Sequence, residues 1–195
     1  MHIVSCAQSR PDLASFGPYP RPWIKPGEPI CFSYDIVAEP GPGQSKRGVI
    51  LSPRPDYSSW EVICDKGTAM GGADEAPSPL GYLIMGVALC LLTHIQSYLH
   101  KAPMNIDRIR VEVRAEYATL APDPDHRASG TGGQGIGRCD GYSCHVLIDS
   151  PEPAEKLQDL IAVCRDACMA IATLAREVPT TTRLFINDQQ DGVPV

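Results

Sequence analysis

The sequence predicts an α+β fold built around two long apolar helices. Three observations predict it: β-rich segments in the first third of the chain, two helical patterns with strongly apolar faces, and strand patterns between and after those helices. With 195 residues, the chain is long enough for one domain with a substantial core. Its formal net charge of −6 provides no basic surface for nucleic acid or for an anionic membrane, so we expect neither as a partner.

The first 29 residues contain six prolines and no sustained periodicity. This composition predicts an extended N-terminal arm, which Tyr19 and Trp23 could anchor, followed by the main domain at residues 30–195. The chain does not begin with a basic region and an apolar run, so we expect no signal peptide and a cytoplasmic protein. Its eight cysteines should then be mostly reduced thiols.

Three β-rich segments follow the arm and are separated by proline and glycine: residues 30–37, 47–51 and 59–64. We expect a turn at residues 39–43 between the first two.

A loop then leads into a long helix over about residues 79–100. Ser78 can cap this helix, and Pro79 suits its first position, where no N–H is needed. Residues 80–92 are apolar on nearly every side, so the helix must be covered all round. That stretch is shorter than the roughly 18 residues needed to cross a bilayer, which favours a buried core helix.

The second half of the chain has strand patterns at residues 106–117, 142–149 and 181–187. Between the last two, residues 151–177 predict a second helix. Its apolar residues recur at intervals of three and four: Leu157, Leu160, Ile161, Cys164, Ala167, Cys168, Ile171, Leu174 and Ala175.

One cysteine in each helix is a candidate for chemistry. Cys90 lies in the middle of the first helix, and Cys168 lies on the apolar face of the second, one turn after Cys164. Taken alone, each is most simply interpreted as a packed core thiol.

The order of these elements changes that interpretation. Three strands closed by Asp65, the double glycine of the loop at residues 71–79, and a buried helix carrying Cys90 resemble the OsmC and organic hydroperoxide resistance family. Cys168 stands where that family has its second cysteine. The resemblance covers residues 30–187, and the stretch from the double glycine to Cys90 is its most specific part.

The resemblance implies an OsmC-like fold, in which β-sheets from both subunits of an intertwined homodimer wrap around two central helices. It also implies thiol-dependent, peroxiredoxin-type reduction of organic hydroperoxides in oxidative-stress defence. Cys90 would be the peroxidatic cysteine, becoming a sulfenic acid, and Cys168 would resolve it as a disulfide. Such an enzyme needs a thiol reductant and no bound cofactor.

The chain departs from the peroxidases of that family at two points. Their catalytic arginine is held by a glutamate just after the helix-opening proline, whereas Pro79 is followed here by Leu80, Gly81 and Tyr82. Arg47 is the best candidate for the arginine, with Asp74 or Glu75 as its possible partner. The peroxidases also have a proline after the second cysteine, but Met169 stands there, so we expect the second helix to continue unbroken.

Two other functions remain open. The chain could be a non-enzymatic module that binds an apolar small molecule at the dimer interface, as the missing acid after Pro79 suggests. It could also be a metal-binding or purely structural dimer, with Cys164 and Cys168, or the group Cys139, Cys144 and His145, as the metal ligands. Residues 130–135 match a dinucleotide-binding fingerprint by letter, but they lead into a strand instead of a helix, so we expect no nucleotide there.

Overall fold

The computed structural model describes residues 2–9, 11, 13, 15–16, 33–52, 56–120, 136–187 and 192–195. The chain divides into two compact units. The first contains residues 1–81 and 179–195, and the second contains residues 82–178. The fold mixes helices with antiparallel sheets, as the sequence predicts.

In the described part of the first unit, four antiparallel strands form a sheet in the order β1-β4-β3-β2. The strands are β1 (Val4–Cys6), β2 (Asp35–Pro40), β3 (Lys46–Leu51) and β4 (Trp60–Cys64). The predictions at residues 47–51 and 59–64 are confirmed as β3 and β4. Residues 30–32 of the first predicted strand lie outside the described residues, and its described part is confirmed as β2.

The turn between β2 and β3 comes later than predicted, because β2 continues to Pro40. β2 is an edge strand of this sheet, where a proline without an N–H donor is tolerated. The turn is closed by backbone hydrogen bonds between Gly41 and Ser45 and between Ser45 and Pro42, with Gly43 at a φ of 60°.

No strand is predicted in the N-terminal arm, yet β1 pairs with β4 at the opposite edge of the sheet. Tyr19 and Trp23 lie outside the described residues, and the boundary between residues 29 and 30 stays a prediction. At the other end of the chain, β7 (Arg183–Leu184) and β8 (Val193–Pro194) form a small hairpin. β7 is shorter than predicted, because Asn187 takes a left-handed conformation with a φ of 51°.

The second unit holds the helical core. Its elements are α1 (Pro79–Lys101, whose first three residues belong to the first unit), β5 (Arg108–Leu120), β6 (Ile136–Asp149), α2 (Ala154–Ala167) and α3 (Met169–Ala175). α1 is confirmed as predicted, and Ser78 Oγ accepts a hydrogen bond from the Gly81 N–H at 3.2 Å, as a capping residue does. β6 is longer than its prediction because it pairs along the whole of β5, with a bulge opposite Glu116 and Tyr117.

Only one face of α1 is buried in its own chain. That face carries Val87, Leu91 and Ile95, spaced by four residues, and it packs in the second unit's core with Leu160 of α2. The expectation of burial on every side is therefore not met within one chain, because the short α2 can cover only one stripe of α1.

The apolar part of α1 extends further than the expected stretch at residues 80–92. α1 has 23 residues, and an 18-residue window within it has a mean hydropathy of 1.6, enough to cross a membrane by length and composition alone. The expectation that the apolar stretch is too short was wrong because apolar residues recur past Leu92 as far as Leu99. The core helix of a soluble protein can have the same length and composition, so this property does not distinguish the two.

The second predicted helix is broken at Cys168, contrary to the expectation that it continues. Cys168 has φ −75° and ψ 106°, which is an extended conformation, so it ends α2 and precedes α3. The Cys168 N–H donates to the Arg165 carbonyl at 3.1 Å, and the Cys168 carbonyl accepts from the Ala172 N–H at 2.9 Å. The break therefore forms although Met169, and not a proline, follows Cys168.

Candidate active site

The structure brings Cys90 and Cys168 together in the core of the second unit. Cys168 belongs to a fully buried cluster, and Cys90 packs against that cluster from α1. The Cys90 thiol lies close enough to Cys168 to raise the pKa of the Cys168 thiol. Cys90 is partly exposed in the single chain, whereas Cys168 has no exposed surface. The two cysteines that the sequence singled out are thus in direct contact.

Burial has the largest effect on the pKa of the Cys168 thiol. It raises the pKa of the thiol, and the neighbouring Cys90 raises it further. The backbone N–H groups of Ile171 and Ala170, in the first turn of α3, lower the pKa, although the Cys168 side chain forms no capping hydrogen bond. Cys168 is therefore held mainly as a neutral thiol.

Two further cysteines adjoin the pair. Cys164, one turn before Cys168, is fully buried in the same cluster, and Cys144 of β6 packs against the cluster. Burial raises the pKa of both thiols. His94 is partly buried one turn after Cys90 on α1.

Arg47 lies on β3 in the first unit, and its side chain is partly exposed. Its guanidinium forms ion pairs with Glu61 at 2.7 Å and with Glu39 at 3.4 Å, and the hydrogen bond that it donates to Glu61 is the largest contribution raising its pKa. Among the described residues, these two acids take the role that was expected of Asp74 or Glu75. The strand register explains the difference, because Glu61 lies opposite Val49, two residues from Arg47 on the same face of the sheet.

Asp65 organises the loop that precedes α1. Its buried carboxylate accepts hydrogen bonds from the N–H groups of Lys66 (2.7 Å), Ala73 (3.0 Å) and Glu75 (3.4 Å). These bonds, that of Lys66 first, hold the pKa of Asp65 below its usual value. The sequence singled out Asp65 only by its position before the double glycine. The structure shows that its carboxylate accepts hydrogen bonds from three backbone N–H groups of the loop.

A cavity of about 530 Å³ lies in the second unit beside the buried cluster that contains Cys164 and Cys168, called the thiol cluster below. Leu91, Ile171 and Cys144 belong to its wall and also to the surroundings of the cluster. The rest of the wall is mainly apolar, with Tyr142 and Arg165 as its larger polar groups. Burial and a hydrogen bond with Tyr117 raise the pKa of Tyr142 to about 12, so this phenol stays neutral at physiological pH.

In the described part of the chain, no three or more His, Cys, Asp or Glu side chains are grouped so that they could hold a metal ion. Cys144 and His145 are consecutive on β6, so their side chains point to opposite faces of the strand. The glycine-rich loop at residues 130–135 lies outside the described residues.

Comparison with known proteins identifies similar chains. A family profile described as OsmC-like protein matches residues 71–183. No curated protein sequence matches the chain significantly.

Solved structures share the fold at low sequence identity. An OsmC-like hydroperoxide resistance protein from Jannaschia sp. CCS1 has a TM-score of 0.52 and 17% identity, with 83% of this chain and 97% of that chain covered. An OsmC-like protein from Mycoplasma pneumoniae has a TM-score of 0.51 and 18% identity, with 73% and 87% covered. An OsmC-like protein of unknown function from Vibrio cholerae has a TM-score of 0.52 and 7% identity, with 72% and 92% covered.

Proposed function

The chain belongs to the OsmC-like protein family, and from this premise we propose that it is a thiol-dependent peroxidase that reduces organic hydroperoxides. The observation that carries the proposal is the proximity of Cys90 and Cys168, two thiols from different helices, since Cys90 packs against the buried cluster that contains Cys168. A similar solved structure from Jannaschia sp. CCS1 is named a hydroperoxide resistance protein, which agrees with this reaction.

The reaction proceeds in two steps. The Cys90 thiolate attacks one peroxide oxygen, the O–O bond breaks, and the alcohol leaves with a proton while Cys90 becomes a sulfenic acid. The Cys168 thiol then attacks the Cys90 sulfur, which forms the disulfide and releases water. A thiol reductant returns both cysteines to the reduced state, so no bound cofactor is required.

The break at Cys168 supports the second step. A disulfide requires the two sulfurs to approach to about 2.05 Å, so one cysteine must move. Cys90 lies within the long regular α1, whereas Cys168 joins two helices and is not held in a continuous helix. No residue of α3 is fully buried, although Ala170 and Ile171 pack against the core cluster, so α3 is held less tightly than the buried face of α1.

The first step needs a cation near Cys90, because a free cysteine is mostly protonated at neutral pH. We assign this role to Arg47, whose guanidinium is held in place by Glu61 and Glu39. These two glutamates would replace the acid that the peroxidases of the family have after the helix-opening proline.

The active form in this proposal is an intertwined homodimer. In the single chain, four large apolar side chains of α1 are about half exposed: Leu80, Leu83, Met85 and Leu89. Of these, Met85 and Leu89 are four residues apart and lie on the face of α1 opposite the buried stripe, and an exposed apolar surface there is normally covered in a soluble protein. We propose that a second copy covers it and not a lipid bilayer, because the opposite face of α1 already packs on a protein core.

We also propose a cytoplasmic location. The seven cysteines that the structure describes are all free thiols, as expected in a reducing compartment.

A peroxide-consumption assay tests the proposed function, with cumene hydroperoxide as substrate and dithiothreitol or a dihydrolipoyl compound as reductant. Wild type should turn over, and Cys90→Ser should reduce the rate to the uncatalysed background, because a neutral hydroxyl is a poor nucleophile towards peroxide. Cys164→Ser is the matched control and should keep its activity, since Cys164 lies in the same cluster but has no place in the two-step reaction. Equal rates for wild type and Cys90→Ser would refute the proposal.

A second candidate function is binding of an apolar small molecule. The cavity of about 530 Å³ beside the thiol cluster favours it, because its wall is mainly apolar and its size suits a small ligand. In that case an apolar fluorescent probe should bind wild type and Cys90→Ser equally, and Val113→Trp, which fills the cavity from β5, should reduce its affinity without affecting any peroxide consumption.

A further inference from the structure

The two sulfurs of the proposed disulfide differ in accessibility. Cys168 has no exposed surface within its own chain, because it is enclosed by a cluster that includes Leu91, Leu160 and Cys164. Cys90 packs at the margin of that cluster and keeps part of its surface exposed. Association with a second copy cannot expose Cys168. Cys90 lies about 100° around α1 from Leu89, so a second copy that packs on the face of Met85 and Leu89 does not have to cover the Cys90 thiol.

Thiol–disulfide exchange requires the attacking thiolate to reach the sulfur it attacks. The approach to Cys168 from the side opposite Cys90 is closed by the core of its own subunit, whereas Cys90 is bonded at the edge of that core. On the basis of the proposed two-cysteine reaction, we infer that the reductant attacks the Cys90 sulfur and that Cys168 is the thiol that leaves.

The exchange conserves atoms and electrons. A reductant thiolate bonds to the Cys90 sulfur, the Cys90–Cys168 bond breaks, and Cys168 leaves as a thiolate that takes up a proton. A second thiol of the reductant then attacks the mixed disulfide, which releases Cys90 as a thiolate and oxidises the reductant to its own disulfide. The reductant is accordingly a small or extended thiol compound that can reach Cys90, and not one that must contact Cys168.

The raised pKa of Cys168 acts against its role as the leaving thiol. Burial raises the pKa of Cys168, and a thiol with a higher pKa leaves more slowly. The raised pKa slows the departure of Cys168, whereas enclosure keeps the reductant away from the Cys168 sulfur in the folded subunit. Accessibility therefore decides which sulfur reacts.

The test uses wild-type protein and begins without peroxide. Diamide oxidises the neighbouring thiols to a disulfide, and a brief pulse of 2-mercaptoethanol then opens it. Acid quenching, alkylation of free thiols and peptide mass spectrometry locate the mercaptoethanol adduct. Cys164→Ser is the matched control, because it removes the neighbouring thiol that could exchange with Cys168 after the first attack.

We expect the adduct on Cys90, with Cys168 alkylated, to exceed the reverse pattern by at least about tenfold, because exchange depends on access to the attacked sulfur. An adduct mainly on Cys168, or equally on both, overturns the inference. If diamide forms no disulfide between Cys90 and Cys168, both the two-cysteine reaction and this inference fail. If the adduct lies on Cys90 but peroxide is not consumed, the inference stands and the proposed function fails.

Discussion

Gly72 is the position where the structure makes its sharpest prediction for a single substitution. A Cβ atom on Gly72 would lie 1.8 Å from the Lys66 carbonyl oxygen and 2.5 Å from its carbonyl carbon, and contacts below 3.0 Å do not occur for real Cβ atoms. Both are backbone atoms, so no side-chain rotation can relieve the clash. In Gly72→Ala the two loop segments must separate by more than about 1 Å.

That separation breaks two backbone hydrogen bonds, from Asp74 to the Lys66 carbonyl (3.1 Å) and from Gly72 to the Gly67 carbonyl (3.2 Å). Each contributes about 1 kcal/mol, and strain in the distorted loop adds a similar amount, so we expect a loss of about 2–4 kcal/mol in the free energy of unfolding. Guanidinium denaturation followed by far-ultraviolet circular dichroism measures it.

Two neighbouring glycines provide matched controls. Gly71 has a φ of 80° and open space where a methyl group would lie, so Gly71→Ala should cost only about 1 kcal/mol of backbone strain. Gly67 has open space and an ordinary extended backbone, so Gly67→Ala should change stability by less than about 0.5 kcal/mol. If Gly72→Ala is no more destabilising than Gly67→Ala, the described loop geometry is wrong.

Three further predictions concern the loop, the core and the dimer. Folding lowers the pKa of Asp65, so the ionised carboxylate stabilises the fold fully above the unfolded-state pKa of about 3.9, and this stabilisation is lost as pH falls through the folded-state pKa. The difference in denaturation midpoint between wild type and Asp65→Asn should therefore be large at pH 7 and should shrink below a pH of about 4. Ile95→Ala should cost about 2–5 kcal/mol because Ile95 is fully buried, whereas Ile36→Ala at an exposed strand position should cost far less, and equal losses would contradict the described core. Leu89→Lys should yield monomers in light scattering, since it places a charge on the exposed apolar face of α1, and an unchanged dimer would exclude that face from the interface.

The elements that the sequence predicted well are those with strong local signals. α1 has a capping serine, a proline at its first position and a long apolar run, so local and tertiary preferences agree there. β5 alternates apolar and charged residues, and Ile109 and Val111 on one of its faces are partly buried against the core cluster. Cys90 and Cys168 could be singled out because the order of elements resembled a known family.

What the sequence did not predict depends on tertiary contacts. The break at Cys168 has no glycine or proline to mark it, and it is visible only in the backbone angles between α2 and α3. β1 has three residues, too few for a periodic pattern, and it exists because the edge of β4 offers hydrogen-bonding partners. The glutamates that hold Arg47 could not be identified without the register of β2, β3 and β4.

A single-turnover experiment tests the two-cysteine reaction most directly. Reduced protein receives one equivalent of cumene hydroperoxide without reductant, and non-reducing peptide mass spectrometry then maps the disulfides. We expect one equivalent of peroxide to be consumed and one disulfide to form, between Cys90 and Cys168, with Cys164 still free. Peroxide left unconsumed, or a disulfide formed between other cysteines while Cys90 and Cys168 stay reduced, would contradict the account.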